Sequence, residues 1–192
     1  GPEYAEVLVG ENGNISVKIG SQSNGQGHET SYAQIVSEVL GVDIENIQVM
    51  QGNSIEIPNG SGTGGSRSTP VGGSALHLAT NNLIKKSKKF ISRKLNVNEE
   101  EINYENGYFF YKSDSFSLAE ISSLFSSQND SLSSYESWAP PSGTFTYPNG
   151  THICELEVNK ETGMINILSY SIVDDFGKVI NPLLLEGQVH GG

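Results

Sequence analysis

The chain has 192 residues, 22 of them glycine, a formal net charge of −11 and 35% hydrophobic residues. This length fits one domain or part of a larger one, and the globular composition excludes wholesale disorder. No run approaches 18 consecutive apolar residues and no basic-then-apolar leader begins the chain, so we expect neither a membrane span nor a signal peptide. The single cysteine, Cys154, cannot form an intramolecular disulfide. We therefore expect a reducing, cytoplasmic setting and a Cys154 that is buried in a strand.

The basic residues are concentrated in one stretch. Six of the eleven lie within ten residues, namely Lys85, Lys86, Lys88, Lys89, Arg93 and Lys94. Apolar residues recur among them at helical spacing, and three glutamates follow at 99–101. The pattern predicts the solvated face of an amphipathic helix rather than a nucleic-acid site, because so acidic a protein repels a phosphate backbone.

The first third of the chain predicts a hairpin, a helix and a strand. Apolar alternation over 4–9 and 15–19, separated by an Asn-Gly turn, predicts a β-hairpin. A loop rich in Gly, Ser and Asn then leads to a helix over about 29–40, whose apolar residues fit a period of 3.6 and which ends at Gly41. Residues 47–50 predict a short strand.

The middle of the chain contains a long segment without periodicity. Residues 52–73 include seven glycines, and such a segment inside a compact domain is usually functional or disordered. A longer helix is predicted over about 73–95, followed by two strands within 102–111. We expect residues 113–150, which are rich in serine apart from a short helical pattern at 118–125, to form a variable, exposed connection.

The last third predicts a second hairpin and a helix. Residues 151–158 and 164–173 alternate on either side of a turn, and Asn181-Pro182 has the N-cap and N1 residues that begin a helix. We interpret Asp174-Asp175, at the end of a strand, as a turn rather than a cation site. Because hairpins interrupt the alternation of strands and helices, we predict an α+β fold with mixed sheets and packed helices.

The sequence Gly25-Gln26-Gly27-His28-Glu29-Thr30 stands where the first helix begins. The glycines allow a ligand to approach the backbone, and the first helical turn supplies unpaired N–H groups with a partial positive charge. Gln26, His28 and Thr30 add hydrogen-bonding side chains. The segment suits an anionic or polar heterocyclic ligand, such as a pterin or a phosphate ester, and a glycine-rich turn before a capped helix is the alternative.

A second candidate segment is Gly62-Thr63-Gly64-Gly65-Ser66-Arg67-Ser68-Thr69. It lacks the Gly-Lys-Ser/Thr of a Walker A motif. Successive N–H groups, the hydroxyls of Ser66, Ser68 and Thr69, and the Arg67 guanidinium could nevertheless bind an anion, and a flexible linker is the alternative. The four histidines lack the close spacing of zinc ligands, so we expect no zinc site.

Taken together, the sequence resembles the molybdopterin-binding large subunit of the xanthine oxidase family, nearest to the carbon monoxide and aldehyde dehydrogenase large chains. Four matching stretches occur in the family's order over nearly the whole chain, with the serine-rich middle as the divergent part. They are residues 25–35, residues 62–68, Pro148-Asn149-Gly150-Thr151, and residues 173–192, which include Glu186-Gly187-Gln188.

The resemblance implies a molybdenum ion held by a molybdopterin, which in bacteria is often the cytosine dinucleotide form. It also implies hydroxylation of aldehydes or N-heterocycles, or oxidation of carbon monoxide, with electrons leaving through 2Fe-2S clusters to FAD on partner subunits or domains. By this resemblance, the cofactor-binding residues are Gly25, Gln26, Gly27, His28, Thr30, Ser66, Arg67, Ser68, Thr69 and Gln188. The expected partners are a small-molecule substrate and the iron–sulfur and flavin subunits in an oligomer, without nucleic acid.

The family's catalytic base is a glutamate in a Val-Gly-Glu motif that this sequence does not contain. We therefore expect residues 1–192 to be a fragment of the molybdopterin-binding domain that is inactive by itself. Two alternatives are a non-catalytic module that binds a pterin or nucleotide through its glycine-rich loops, and an interaction protein that docks through the lysine-rich helix.

Overall fold

The computed structural model describes residues 1–192, which form nine strands and four α-helices. The strands are β1 Glu3–Val9, β2 Ile15–Ile19, β3 Ile47–Met50, β4 Asn103–Glu105, β5 Tyr108–Tyr111, β6 Asp114–Ser117, β7 Ser133–Trp138, β8 Asn149–Val158 and β9 Ile165–Asp175. The helices are α1 His28–Leu40, α2 Gly73–Leu95, α3 Leu118–Ser126 and α4 Pro182–Gly191. The mixture of helices with separate sheets confirms the predicted α+β class.

The largest sheet has the strand order β3-β2-β1-β7. β1 is antiparallel to both β2 and β7, whereas β3 runs parallel to β2, so the sheet is mixed. Buried and half-buried residues alternate along β1 and β2, as expected for strands with one face against a core. The predicted hairpin over 4–19 is confirmed.

Helices α1 and α2 cover the buried face of this sheet. Their apolar stripes place Val36, Leu40, Leu76 and Leu83 in one core with the inward residues of β1 and β2. Burying a side chain of this size stabilises the fold by about 1.5–3 kcal/mol. The long helix α2 thus connects the main sheet to the smaller sheet β4-β5-β6, whose Phe109 is fully buried in the same cluster.

The serine-rich segment is more ordered than expected. It contains β6, α3 and β7, and Leu132 is fully buried. Strand β7 pairs with β1 over six residues, from Glu3↔Trp138 to Leu8↔Ser133. Serine is not among the residues enriched in strands, so we attribute the formation of this strand to its pairing with β1. Residues 127–132 and 139–148 are irregular, and residues 139–148 are almost entirely exposed.

The lysine-rich face of α2 is mostly exposed, as expected, but Lys86 has structural contacts. Its ammonium donates to the carbonyl oxygens of Ser131 at 2.9 Å and Ser133 at 3.2 Å. It also lies 4.9 Å from the ring centroid of Phe125. These contacts attach the start of β7 to α2.

The β8–β9 hairpin has no core of its own. Every residue of β8 is exposed, and none of β9 or α4 is fully buried. The expectation that Cys154 is buried is therefore wrong, because Cys154 is exposed on a two-stranded sheet whose residues are almost all exposed. No helix of the protein has both the length and the hydropathy needed to span a bilayer.

Candidate functional site

A cavity of about 860 Å³ lies beside the N-terminus of α1. Four segments line it: the start of α1, the loop before α2, the chain entering β8, and the chain from the end of β9 into α4. Its volume is within the range of small-molecule and cofactor sites, about 300–1,000 Å³. Six of the ten predicted residues line it, namely Gln26, His28, Ser66, Ser68, Thr69 and Gln188.

The first wall is the N-terminus of α1. Gly27 is the N-cap residue, with a left-handed φ of 73°, and no side chain caps the helix. The first-turn N–H groups therefore remain without a side-chain acceptor. Gln26 Oε1 accepts from the backbone N–H of Asn24 at 2.5 Å, which leaves the Gln26 amide nitrogen as a donor. This wall presents hydrogen-bond donors together with a partial positive charge.

His28 is buried at this wall and connects it to the core. Its Nδ1 lies 3.2 Å from Gln51 Oε1, and its ring lies 5.2 Å from that of Tyr32. Gln51 Nε2 is buried without any hydrogen-bond partner. A buried donor without an acceptor is unfavourable by about 1–3 kcal/mol, and Gln51 itself does not line the cavity.

The second wall is the loop over residues 62–69, which continues into a π-helical turn at Ser68–Gly72. The Tyr32 hydroxyl donates to the carbonyl oxygen of Ser68 at 3.0 Å and lies 2.7 Å from Ser21 Oγ. Burial raises the pKa of this phenol. Thr63 Oγ1 donates to the carbonyl oxygen of Gln22 at 2.5 Å. The loop is therefore bonded both to α1 and to the segment that follows β2.

Arg67 is not part of this wall. Its Nη1 forms a 2.5 Å ion pair with Glu3 Oε2 and donates to the carbonyl oxygen of Gly62 at 2.7 Å. Its Nη2 donates to the carbonyl oxygens of Gly1 and Pro2, each at 3.0 Å. The sequence-based interpretation of this guanidinium as a donor to a ligand does not match the structure, because buried Glu3 is its charge partner.

The third wall is α4, which carries Gln188 in its second half. Asn181 caps this helix as predicted, since its Oδ1 accepts from the N–H of Leu184 at 3.0 Å. The Asn181 Nδ2 donates to Gln34 Oε1 on α1 at 2.9 Å. A Cβ atom at Gly27 would lie 2.5 Å from Leu184 Cδ2. These contacts place α4 against α1 and set the position of Gln188.

Three more predicted residues do not line the cavity. Gly25 and Thr30 are exposed, and Gly27 lies against Leu184 instead. Several residues that line the cavity were not predicted from the sequence, among them Ser31, Thr63, Tyr147, Asn149, Asp175 and Lys178. Residues 148–151 carried a signal because they belong to a stretch that resembles the family. Lys178, the only lysine or arginine of the lining, lies in the stretch 173–192 that also resembles the family, but it was not predicted as a site residue.

Comparison with known proteins identifies the family. A model described as a molybdopterin cofactor-binding domain matches residues 1–192. The chain belongs to this family. It is 34% identical to the carbon monoxide dehydrogenase large chain of Hydrogenophaga pseudoflava, over 99% of this chain and 24% of the relative. It is 30% identical to the nicotine 6-hydroxylase large subunit of Paenarthrobacter nicotinovorans, over 99% of this chain and 24% of the relative.

Solved structures agree with this assignment. The domain superposes on carbon monoxide dehydrogenase from Oligotropha carboxidovorans with a TM-score of 0.87 and 33% identity, covering 99% of this chain and 24% of that one. For quinoline 2-oxidoreductase from Pseudomonas putida 86 the TM-score is 0.83 and the identity 26%, with 99% of this chain and 25% of that one covered. The resemblance is confirmed, and the domain spans about a quarter of the length of these relatives.

The chemistry of the lining fits a molybdopterin. The heterocycle of a molybdopterin offers several nitrogen and oxygen atoms for hydrogen bonds, and its side chain carries an anionic phosphate. The cavity supplies amides from Gln26 and Gln188 and hydroxyls from Ser66, Ser68 and Thr69. Uncapped helical N–H groups at α1 and the Lys178 ammonium complement negative charge.

Proposed function

We propose that this domain is the cofactor-binding part of the large subunit of a molybdenum hydroxylase. The observation that supports the proposal is the convergence of three segments, distant in sequence, on one cavity lined by polar donors. Gln26 and His28 come from the first segment, Ser66, Ser68 and Thr69 from the second, and Gln188 from the third. In this proposal these six residues contact the molybdopterin.

Each wall has its own task in binding. The hydroxyls of the 62–69 loop and the N–H groups of α1 bind anionic oxygens, because both can donate hydrogen bonds without gaining or losing a proton. The two glutamine amides orient the heterocycle through directional hydrogen bonds. When bound, the molybdenum centre supplies the two-electron oxidation of an aldehyde, an N-heterocycle or carbon monoxide with oxygen taken from water.

The remaining parts of the proposal concern the whole enzyme. The cofactor takes the cytosine dinucleotide form, and 2Fe-2S clusters and FAD on partner subunits or domains carry electrons away. Relatives named as a large chain, a large subunit and a complex subunit gamma support an assembly of several subunits. The enzyme works in the cytoplasm, and residues 1–192 are inactive alone because they lack the catalytic base.

The test is to express the complete subunit together with its partner subunits, and to measure molybdenum and pterin per chain. Gln26→Ala and Gln188→Ala should each lower the apparent affinity for the pterin about two- to tenfold, because a hydrogen bond between uncharged groups contributes about 0.5–1.5 kcal/mol. Gln128→Ala is the matched control, since Gln128 is exposed and lies outside the cavity.

Two results would contradict the proposal. If molybdenum stays far below one per wild-type chain while a mononucleotide fills the site, the domain is a non-catalytic binding module. If Gln26→Ala and Gln188→Ala retain as much pterin as Gln128→Ala, the cavity is not where the cofactor binds.

A further inference from the structure

The 62–69 loop contains a residue in a backbone conformation that its type disfavours. Ser66, which lines the cavity, has a φ of 54°. A residue with a Cβ atom in the left-handed region is strained and persists only where surrounding contacts hold it. Neighbouring contacts must therefore fix this part of the loop in place.

The adjacent residue, Arg67, supplies those contacts. Its Nη1 bonds both Glu3 Oε2 and the Gly62 carbonyl oxygen, so one nitrogen connects the beginning of the loop to strand β1. Its Nη2 bonds the carbonyl oxygens of Gly1 and Pro2. All four N–H groups of the two Nη atoms thus donate to acceptors within the protein. They could donate to a ligand only if these hydrogen bonds were broken.

The partner of Arg67 is a carboxylate that no solvent reaches. Glu3 is 0% exposed, and its second oxygen accepts from the backbone N–H of Tyr4 at 3.1 Å. A buried carboxylate requires a nearby cation, and Arg67 at 2.5 Å is the only one paired with it. The ion pair therefore determines where residue 67, and with it Ser66 and Ser68, can lie.

We propose that Arg67 is a positioning residue for cofactor binding. The Glu3–Arg67 ion pair holds the 62–69 loop in its ligand-binding conformation before any ligand arrives, and Arg67 itself does not touch the ligand. This inference rests on the proposed function for the identity of the ligand, but the preorganisation of the loop does not depend on it. Preorganisation raises affinity because the ligand does not have to order the loop.

Arg67→Lys is the sharpest variant. Lysine keeps the positive charge beside Glu3, but its single ammonium cannot replace two nitrogens that reach four acceptors in a fixed plane. Arg93→Lys is the matched control, because Arg93 is exposed near the end of α2. Glu3→Gln is a second variant, which removes the carboxylate charge and keeps a hydrogen-bond acceptor.

The experiment combines two measurements on the complete subunit. Hydrogen exchange is first measured on cofactor-free protein, and pterin and molybdenum content are then measured after loading. In Arg67→Lys, we expect amide exchange at Val71 and Gly72, whose N–H groups donate to the carbonyl oxygen of residue 67, to rise at least tenfold while exchange in β1, β2 and α2 stays at the wild-type rate. Pterin affinity should fall about tenfold, with Arg93→Lys unchanged in both measurements and Glu3→Gln shifted in the same direction as Arg67→Lys.

The possible results separate the two proposals. Unchanged exchange at Val71 and Gly72 in Arg67→Lys, or an unchanged pterin affinity despite faster exchange, would overturn the positioning role. Faster exchange throughout β1, β2 and α2 would also overturn it, because Arg67 would then stabilise the whole domain rather than the loop. Wild-type protein that binds no pterin, with exchange at Val71 and Gly72 still dependent on Arg67, would overturn the proposed function and retain the preorganised loop.

Discussion

The two parts of this domain that form the cavity are built in different ways. Residues 1–138 contain every fully buried residue of the chain, and the first two walls of the cavity are attached to that core through Tyr32 and Arg67. Residues 139–192 contain none, and their wall is placed by α4 through its contacts with α1. The walls formed by residues 1–138 are thus positioned by the buried core. The wall formed by residues 139–192 is positioned by a few contacts between α4 and α1.

The largest expected difference between the two parts is in stability. Leu76→Ala removes a fully buried side chain of α2 and should lower the free energy of unfolding by about 2–5 kcal/mol. Ile167→Ala in β9, where the side chain is 60% exposed, should change it by less than about 0.5 kcal/mol. Urea unfolding of the 192-residue chain measures both. A loss above 1 kcal/mol for Ile167→Ala would show that the hairpin is packed in solution, in contrast to the structure.

A smaller effect is expected where the two parts meet. Gly27 and Gly163 have nearly the same left-handed φ, 73° and 72°, but a Cβ atom at Gly27 would overlap Leu184, whereas one at Gly163 meets nothing within 4 Å. Gly163→Ala should lower the free energy of unfolding by about 1 kcal/mol through backbone strain alone. Gly27→Ala should destabilise by about 1 kcal/mol more, because Leu184 has to turn away. Equal losses in thermal unfolding would mean that α4 does not lie against α1.

The Asn181 side chain allows the helix cap to be separated from the contact between the two parts. Asn181→Ala loses both the helix cap and the contact with Gln34, and it should lower the free energy of unfolding by about 1 kcal/mol. Asn181→Asp keeps the acceptor for the N–H of Leu184 but loses the donor to Gln34. It should therefore retain α4 while loosening its contact with α1, which hydrogen exchange at residues 182–188 and at Gln34 would show. If Asp behaves like Ala at both places, the cap and the contact are not separable.

The smallest effect is a dependence on alkaline pH within residues 1–138. Burial, followed by the nearby Glu6 carboxylate that accepts from its hydroxyl, raises the pKa of Tyr4 from 10.0 to about 12. The folded protein thus favours the neutral phenol, and the stabilisation is complete below pH 10 and is lost as the pH rises toward 12. Tyr4→Phe should show a shallower loss of stability between pH 10 and 12 in denaturant titrations. An identical slope would contradict the raised pKa.

The success of the sequence-based predictions depended on whether the signal was local. The first hairpin, α1, α2 and the start of α4 were predicted correctly, because apolar periodicity and the Asn181-Pro182 pair are properties of adjacent residues. Strand β7 was missed because its serines carry little strand propensity, and its existence depends on pairing with β1 more than a hundred residues earlier. Cys154 was wrongly placed inside because alternation does not show whether a sheet is covered.

The same distinction holds for the candidate site. The motif order in the sequence was enough to predict Gln26, Ser66 and Gln188 as members of one site, and the structure brings them to the same cavity. No local pattern showed that Arg67 would turn toward Glu3, since that depends on where a buried carboxylate of β1 meets the loop. Residue type and short-range spacing determined which groups could bind a ligand. Only the tertiary structure decided which of them face the cavity. The reason is that a buried carboxylate pairs with a cation that is close in space, however far apart the two residues are along the chain.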